Sequence, residues 1–259
     1  MNKSIKPLLI STDLDGTLLD HHTYSWKAAE ESINRLKSLN YPVIINTSKT
    51  RDEVISLQNK IGLVSPFIVE NGSAIYYPEN GDYREIVLGS LRQDIVNFIN
   101  DIRQGKNWQF ESYSDWDIET LISHTGLDLD AAKKSMLRRF SEPFIWHDTD
   151  RALNEFKQCI ESAGFRLLKG GRFFHILGQS DKGQAIKSLD ENYSNNTTLV
   201  CLGDSYNDLD MLAAADIAVL VRSPAYGFPE FSTDKELIRT TAMGPEGWHE
   251  AMNSIINRG

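Results

Sequence analysis

Two blocks in which short apolar runs alternate with amphipathic segments, separated by a long stretch where that alternation fails, constrain this chain more than any other feature. In the first block an apolar run, Leu8 to Thr12, precedes Trp26, Ala29, Ile33, Leu36 and Leu39 at helical spacing, closed by Asn40 and Pro42. A run Val43 to Ile45 follows. A helix then opens on the capping pair Thr50 and Glu53 and carries Val54, Leu57 and Ile61 to Gly62, before a run Phe67 to Val69. The second block has a helix from Asp181, a run Leu199 to Leu202, a helix from Asp208 and a run Ile217 to Val221. Alternation of this kind predicts buried strands joined by helical crossovers, hence a doubly wound, Rossmann-like parallel sheet of the α/β class. From Ser73 to about Leu177 the order is irregular. A hairpin is predicted near Tyr76 and Ile86, helices near 91–102 and 131–140, and strands near 144–146 and 165–168, a mixture typical of an inserted α+β cap. The predicted division is a core of 1–80 and 179–259 with a cap of 81–178.

At 259 residues and 41% apolar, the chain can bury a large core carrying such an insertion. Its net charge of −9, from 36 acidic and 27 basic side chains, argues against broad contact with nucleic acid or an anionic membrane. An anionic substrate then needs a metal or a few placed cations. The start MNKSIKPLLIST has too brief an apolar run for a signal-peptide core or a membrane span, and nothing downstream reaches spanning length. Cys159 and Cys201 have neither disulfide-framework nor metal-ligand spacing and read as reduced thiols of a cytoplasmic protein. The stretch Asn192 to Thr198 reads as a polar loop.

The first apolar run ends in Asp13-Leu14-Asp15-Gly16-Thr17. In extended backbone Asp13 and Asp15 point the same way with Leu14 turned to the core, so one phosphate can face both carboxylates. Like charges that close are costly unless a cation lies between them or one holds a proton, and either arrangement serves phosphoryl transfer. The same residues also suit a plain acidic turn. Gly203-Asp204-Ser205-Tyr206-Asn207-Asp208 again follows an apolar run, so its carboxylates reach the sheet rim that holds Asp13 and Asp15. Alone it is equally an Asp-rich helix cap. Together the motifs bring three or four hard oxygen ligands, from Asp13, Asp15, Asp204 and Asp208, without histidine or cysteine, a set suited to Mg²⁺. Thr47 offers a hydroxyl to a phosphate oxygen, and Lys182 offers an ammonium at a helix start. A capping threonine and a solvated surface lysine are the plainer readings of those two.

In this order Asp13, Asp15, Thr47, Lys182, Asp204 and Asp208 resemble the motifs of the haloacid dehalogenase superfamily of phosphotransferases. The resemblance implies that Asp13 is a nucleophile that becomes phosphorylated and that Asp15 is the acid and then the base. It also implies Mg²⁺ held by the Asp13 carboxylate, the Asp15 carbonyl and Asp204, with Asp208 orienting a water or Lys182. The insertion between Thr47 and Lys182 is similar to that of the capped branch acting on small sugar phosphates. The segments Thr47-Ser48-Lys49-Thr50, Val69-Glu70-Asn71-Gly72, Gly170-Gly171-Arg172-Phe173-Phe174-His175 and Gly244-Pro245-Glu246-Gly247-Trp248 narrow the resemblance to the mannosyl-3-phosphoglycerate phosphatase family. That implies a small anionic substrate, a phosphorylated glycosyl-glycerate. A glucosyl substrate, other sugar phosphates, a phosphosugar mutase reaction and a non-catalytic module sensing a phosphorylated ligand stay open.

For such a substrate Arg172 can grip a carboxylate or phosphate bidentately, with Gly170 and Gly171 admitting backbone N–H groups. Lys49 and His175 can add to that contact, and Glu70 and Asn71 can receive sugar hydroxyls. Tyr113, Trp116 and Trp146 suit either a sugar pocket or a core.

Overall fold

The structure, a computed structural model, describes residues 6–190, 193 and 197–258. The start of the N-terminal segment and most of the polar loop expected at 192–198 lie outside the described residues. Strand β1 (Leu8–Thr12) is buried throughout, and beyond it the chain doubles back on hydrogen bonds from the Gly16, Thr17 and Leu19 amides. Helix α1 (Glu30–Ser38) buries Ile33 and Leu36 and leads to β2 (Val43–Asn46), also buried throughout. Helix α2 (Arg51–Ile61) opens on the expected capping box of Thr50 and Glu53 and stops at left-handed Gly62. Strand β3 (Phe67–Val69) follows, then the antiparallel hairpin of β4 (Ala74–Glu79) and β5 (Asp82–Val87).

The irregular stretch continues with α3 (Arg92–Gly105), β6 (Phe110–Ser112), α4 (Ile118–Thr125), α5 (Leu129–Met136), β7 (Ser141–Trp146), α6 (Asp150–Ser162), β8 (Arg166–Lys169) and β9 (Phe174–Leu177). Regular alternation then returns in α7 (Lys182–Asp190), β10 (Thr198–Gly203), α8 (Leu209–Ala214) and β11 (Ile217–Arg222), after which β12 (Glu236–Met243) and α9 (Gly244–Ile256) follow.

The main sheet has the order β12-β11-β10-β1-β2-β3-β4-β5, parallel from β12 to β3. This is the doubly wound core read from the alternation. A separate antiparallel sheet has the order β6-β7-β9-β8. The chain forms two compact units, one made of Ser48–Val64 and Val69–Ser180 and the other of the remaining segments. In the first of these, Ile95, Ile99, Phe110, Phe144, Phe156, Ile160 and Ile176 form the core, and Trp146 packs on it, stacked on Phe110. Trp146 is thus a core residue. Among the described residues no helix is long and apolar enough to cross a membrane.

The helix predicted over 131–140 ends instead at Met136. Just beyond it the Arg139 and Phe140 amides donate to the Glu70 carboxylate, at 2.9 and 3.1 Å, so a side chain distant in sequence competes for donors that a helix would have used internally. Strand β12 was not anticipated because it is a sheet edge, with charged and polar residues in most of its exposed positions.

Candidate active site

Strands β1 and β10 pair in parallel with Thr12 opposite Leu202, so the chain leaves adjacent strand ends as Asp13 and, past Gly203, Asp204. Strand order reverses between these two strands, where sites form in doubly wound sheets. Asp13, Asp204 and Asp208 are all buried, and each places one carboxylate oxygen within 4.8 Å of the others. Lys182, at the start of α7, is buried among them. Its ammonium donates to Asp13 Oδ1 at 2.7 Å and to Asp208 Oδ1 at 2.6 Å.

Each member of the cluster is held from behind. Asp208 Oδ2 accepts from the Asp204 and Ser205 amides, each at 3.1 Å, so this carboxylate both braces its own loop and aims Lys182. The Lys182 carbonyl accepts from Asn46 Nδ2 at 3.0 Å. Asp204 accepts from the Thr17 hydroxyl at 3.3 Å and from the Tyr226 hydroxyl at 2.9 Å. Trp248 Nε1 donates to the Thr12 hydroxyl, which donates onward to the Asp13 carbonyl, at 3.0 and 2.7 Å. The indole of the Gly244–Trp248 segment therefore supports the Asp13 backbone from the core. Gly16 sits at φ +80°, and a β-carbon there would lie 2.7 Å from Asp204 Oδ2, so the turn admits only glycine without displacing that carboxylate. Asp15 is half-buried two residues past Asp13, and Thr47 is buried at the end of β2 with its amide donating to the Ile68 carbonyl.

The electrostatics follow from burial. Desolvation pushes the Asp13 carboxyl up to about 7, against the pull of Lys182 and with further push from Asp208 and Asp15. Burial, with Asp208 and Asp13 nearby, also holds Asp204 well above the usual carboxylate range. For Lys182 burial acts downward, but the two carboxylates outweigh it and keep the ammonium charged. One lysine thus faces three buried carboxylates. Their hard oxygen donors and remaining negative charge fit a small divalent cation such as Mg²⁺, with Asp13 and Asp204 best placed to hold it because Asp208 is spent on Lys182 and its loop.

The five residues expected to bind substrate all lie in the unit that contains the four-stranded sheet. Lys49, Glu70 and Asn71 form one group: the Glu70 amide donates to the Lys49 carbonyl, and Lys49 Nζ lies 3.9 Å from Glu53. The Glu70 carboxylate also accepts from the Ser141 hydroxyl at 2.7 Å, so it anchors the 139–141 segment. The Arg172 guanidinium donates to the His124 and Thr125 carbonyls at the end of α4, a helix-capping contact, while His175 is buried on β9. Asn46 and Tyr226 were not singled out from sequence, since each acts through a partner far along the chain.

These features are those of a haloacid dehalogenase-like hydrolase, and the chain belongs to that family, which it matches over residues 10–162 and 148–225. Within the family it is 36% identical over 265 residues to the glucosyl-3-phosphoglycerate/mannosyl-3-phosphoglycerate phosphatase of Methanococcoides burtonii, covering 96% of this chain and 97% of that protein. It is 35% identical to the protein of the same name from Persephonella marina, with the same coverage. Among solved structures, a haloacid dehalogenase-like hydrolase from Bacteroides thetaiotaomicron shares the fold with a TM-score of 0.70 at 18% identity, over 96% of this chain and all of that one, 100%.

Proposed function

We propose that the protein is a Mg²⁺-dependent phosphatase that works through a phosphorylated Asp13 and removes phosphate from mannosyl-3-phosphoglycerate to leave mannosylglycerate. The observation that carries this reading is the buried contact of Lys182 with Asp13 beside Asp204, which pairs a nucleophile with the positive charge that an incoming phosphate needs. The names of the two relatives support the substrate.

An oxygen of Asp13 attacks phosphorus as the bond to the glyceryl oxygen breaks, and Asp15 gives its proton to that oxygen. A water then attacks the phosphorus of the aspartyl phosphate, Asp15 takes the water's proton, and the bond to Asp13 breaks. Lys182 and Thr47 hold the phosphoryl oxygens, and Asp208 keeps the ammonium aimed. A cation held by Asp13, Asp204 and the Asp15 carbonyl would neutralise charge on the transferring group.

Glucosyl-3-phosphoglycerate is a second substrate reading, favoured by the paired names of the relatives. The test is phosphate release, with and without Mg²⁺, from the mannosyl and glucosyl compounds and from hexose 6-phosphates, with Asp13→Asn as control. Mg²⁺-dependent preference for the glycosyl-phosphoglycerates is expected. Preference for hexose phosphates would replace the substrate, and full activity of Asp13→Asn would defeat the covalent route.

A further inference from the structure

Asn46 closes β2 after Val43, Ile44 and Ile45 and is buried as they are. The orientation of its amide is set by the Lys182 carbonyl, which only accepts and takes a hydrogen from Nδ2 at 3.0 Å. The same nitrogen stands 3.5 Å from the Ser11 hydroxyl, whose own hydrogen goes to the Met211 sulfur at 3.2 Å. Asn46 Oδ1 is buried and meets no hydrogen-bond donor among the described residues. The side chain thus leaves water for one well-formed bond and strands an acceptor, which destabilises the fold relative to an apolar residue in the same place. Such a breach of the packing rules is expected where a functional site needs it.

What the bond secures is Lys182, the first residue of α7, at a helix end where fraying starts. The Lys182 side chain is 1% exposed, so close packing fixes its path to Asp13 and Asp208, and a shift of its backbone carries the ammonium with it. Asn46 also directly precedes Thr47. A single amide therefore ties the backbone of the cation to the strand that leads into the hydroxyl, and these are the two groups assigned above to the phosphoryl oxygens.

We propose that Asn46 is a positioning residue that fixes Lys182 relative to Thr47 for phosphoryl transfer; this rests on the functional reading above. The test compares wild type with Asn46→Val and Asn46→Leu, which remove the amide donor, the second keeping its branched shape. On mannosyl-3-phosphoglycerate kcat should fall about 10- to 100-fold with KM little changed, because the lost alignment is felt most as charge moves on the phosphoryl group. The urea midpoint in chelator should stay at or above that of wild type in the better packed of the two variants. A role in folding alone gives the opposite pair of results, a lower midpoint with kcat kept. Unchanged kcat, or a kcat that falls in both variants only together with the midpoint, overturns the proposal. Crystal structures of wild type and the better packed variant read the lysine directly, and decide the matter even if the glycosyl ester proves not to be a substrate. Lys182 Nζ displaced from its 2.7 Å contact with Asp13 supports the proposal, and an unmoved Nζ overturns it.

Discussion

The Tyr226 hydroxyl donates to Asp204 Oδ2 at 2.9 Å, joining the loop after β11 to the end of β10. Burial and the neighbouring carboxylate both push this phenol up, so it stays a donor throughout the neutral range. A carboxylate that holds a cation is oriented by such a partner, and loss of the partner typically weakens metal binding 10- to 100-fold, or about 1–3 kcal/mol. Tyr226→Phe should therefore weaken Mg²⁺ binding by about that factor, measured by calorimetric titration, with little change in thermal stability in chelator. Unchanged affinity would mean that Thr17 alone suffices to orient Asp204.

Lys182 is the charge that makes three buried carboxylates tolerable. Removing one partner of a buried ion pair typically costs about 3–5 kcal/mol because the remaining charge is left uncompensated. Lys182→Met should lose activity and, in chelator near neutral pH, destabilise the fold by an amount of that order, read from urea unfolding. Part of the loss should return on adding Mg²⁺ or on acidifying, since either removes repulsion between Asp13 and Asp208. A variant as stable as wild type at neutral pH would show that the carboxylates relax apart at little cost.

The rim of the candidate site was legible in sequence because its members follow apolar runs: Asp13 and Asp204 leave neighbouring parallel strands, and their meeting needs only the sheet order. Lys182 was visible as a motif, yet its complete burial was not, since a lysine opening a helix looks like a surface residue until Asn46, Asp13 and Asp208 surround it. Trp248 was seen as part of a segment that carries the family resemblance, but its support of Asp13 through Thr12 spans 236 residues and is encoded by no local pattern. Glu70 and Arg172 were visible for their ligand chemistry, but not visible was that Glu70 also accepts from the Arg139 amide and that Arg172 also donates to the His124 carbonyl, since those partners lie far along the chain. Arg138 had no local signal at all. Its contacts, with the Ser48 carbonyl and the Ser141 hydroxyl, are set by the packing around it.

Gly16 couples the first motif to the second. Alanine there would face both a left-handed backbone, about 1–2 kcal/mol for a residue with a β-carbon, and a contact of 2.7 Å with Asp204 Oδ2. Gly16→Ala should lower stability by about 1–3 kcal/mol in denaturant and weaken Mg²⁺ binding as well, because the carboxylate that must move is one that would hold the ion. Lost stability with intact Mg²⁺ affinity would show that the backbone yields instead of Asp204.

Acid should stabilise the metal-free protein over a window where many proteins change little. Asp13 is pushed from 3.8 in an unfolded chain to about 7 in the fold, first by burial, and Asp204 is raised as well. Between those limits the native state keeps protons that the unfolded chain has released, so stability falls as pH rises through the window. Asp20, Asp115 and Asp216 are held below the usual range by hydrogen bonds, and Asp115 and Asp216 also by cations, against burial; their contribution is already complete above the unfolded value and is lost only at lower pH. In chelator the urea midpoint should therefore be higher at about pH 5 than at about pH 7.5. With saturating Mg²⁺ the difference should shrink or reverse, because the cation binds the ionised carboxylates and its apparent affinity rises over the same window. A midpoint in chelator that rises from the lower to the higher pH would mean that Lys182 keeps Asp13 ionised well below neutrality, and the balance between burial and ion pairing at this site would have the opposite sign.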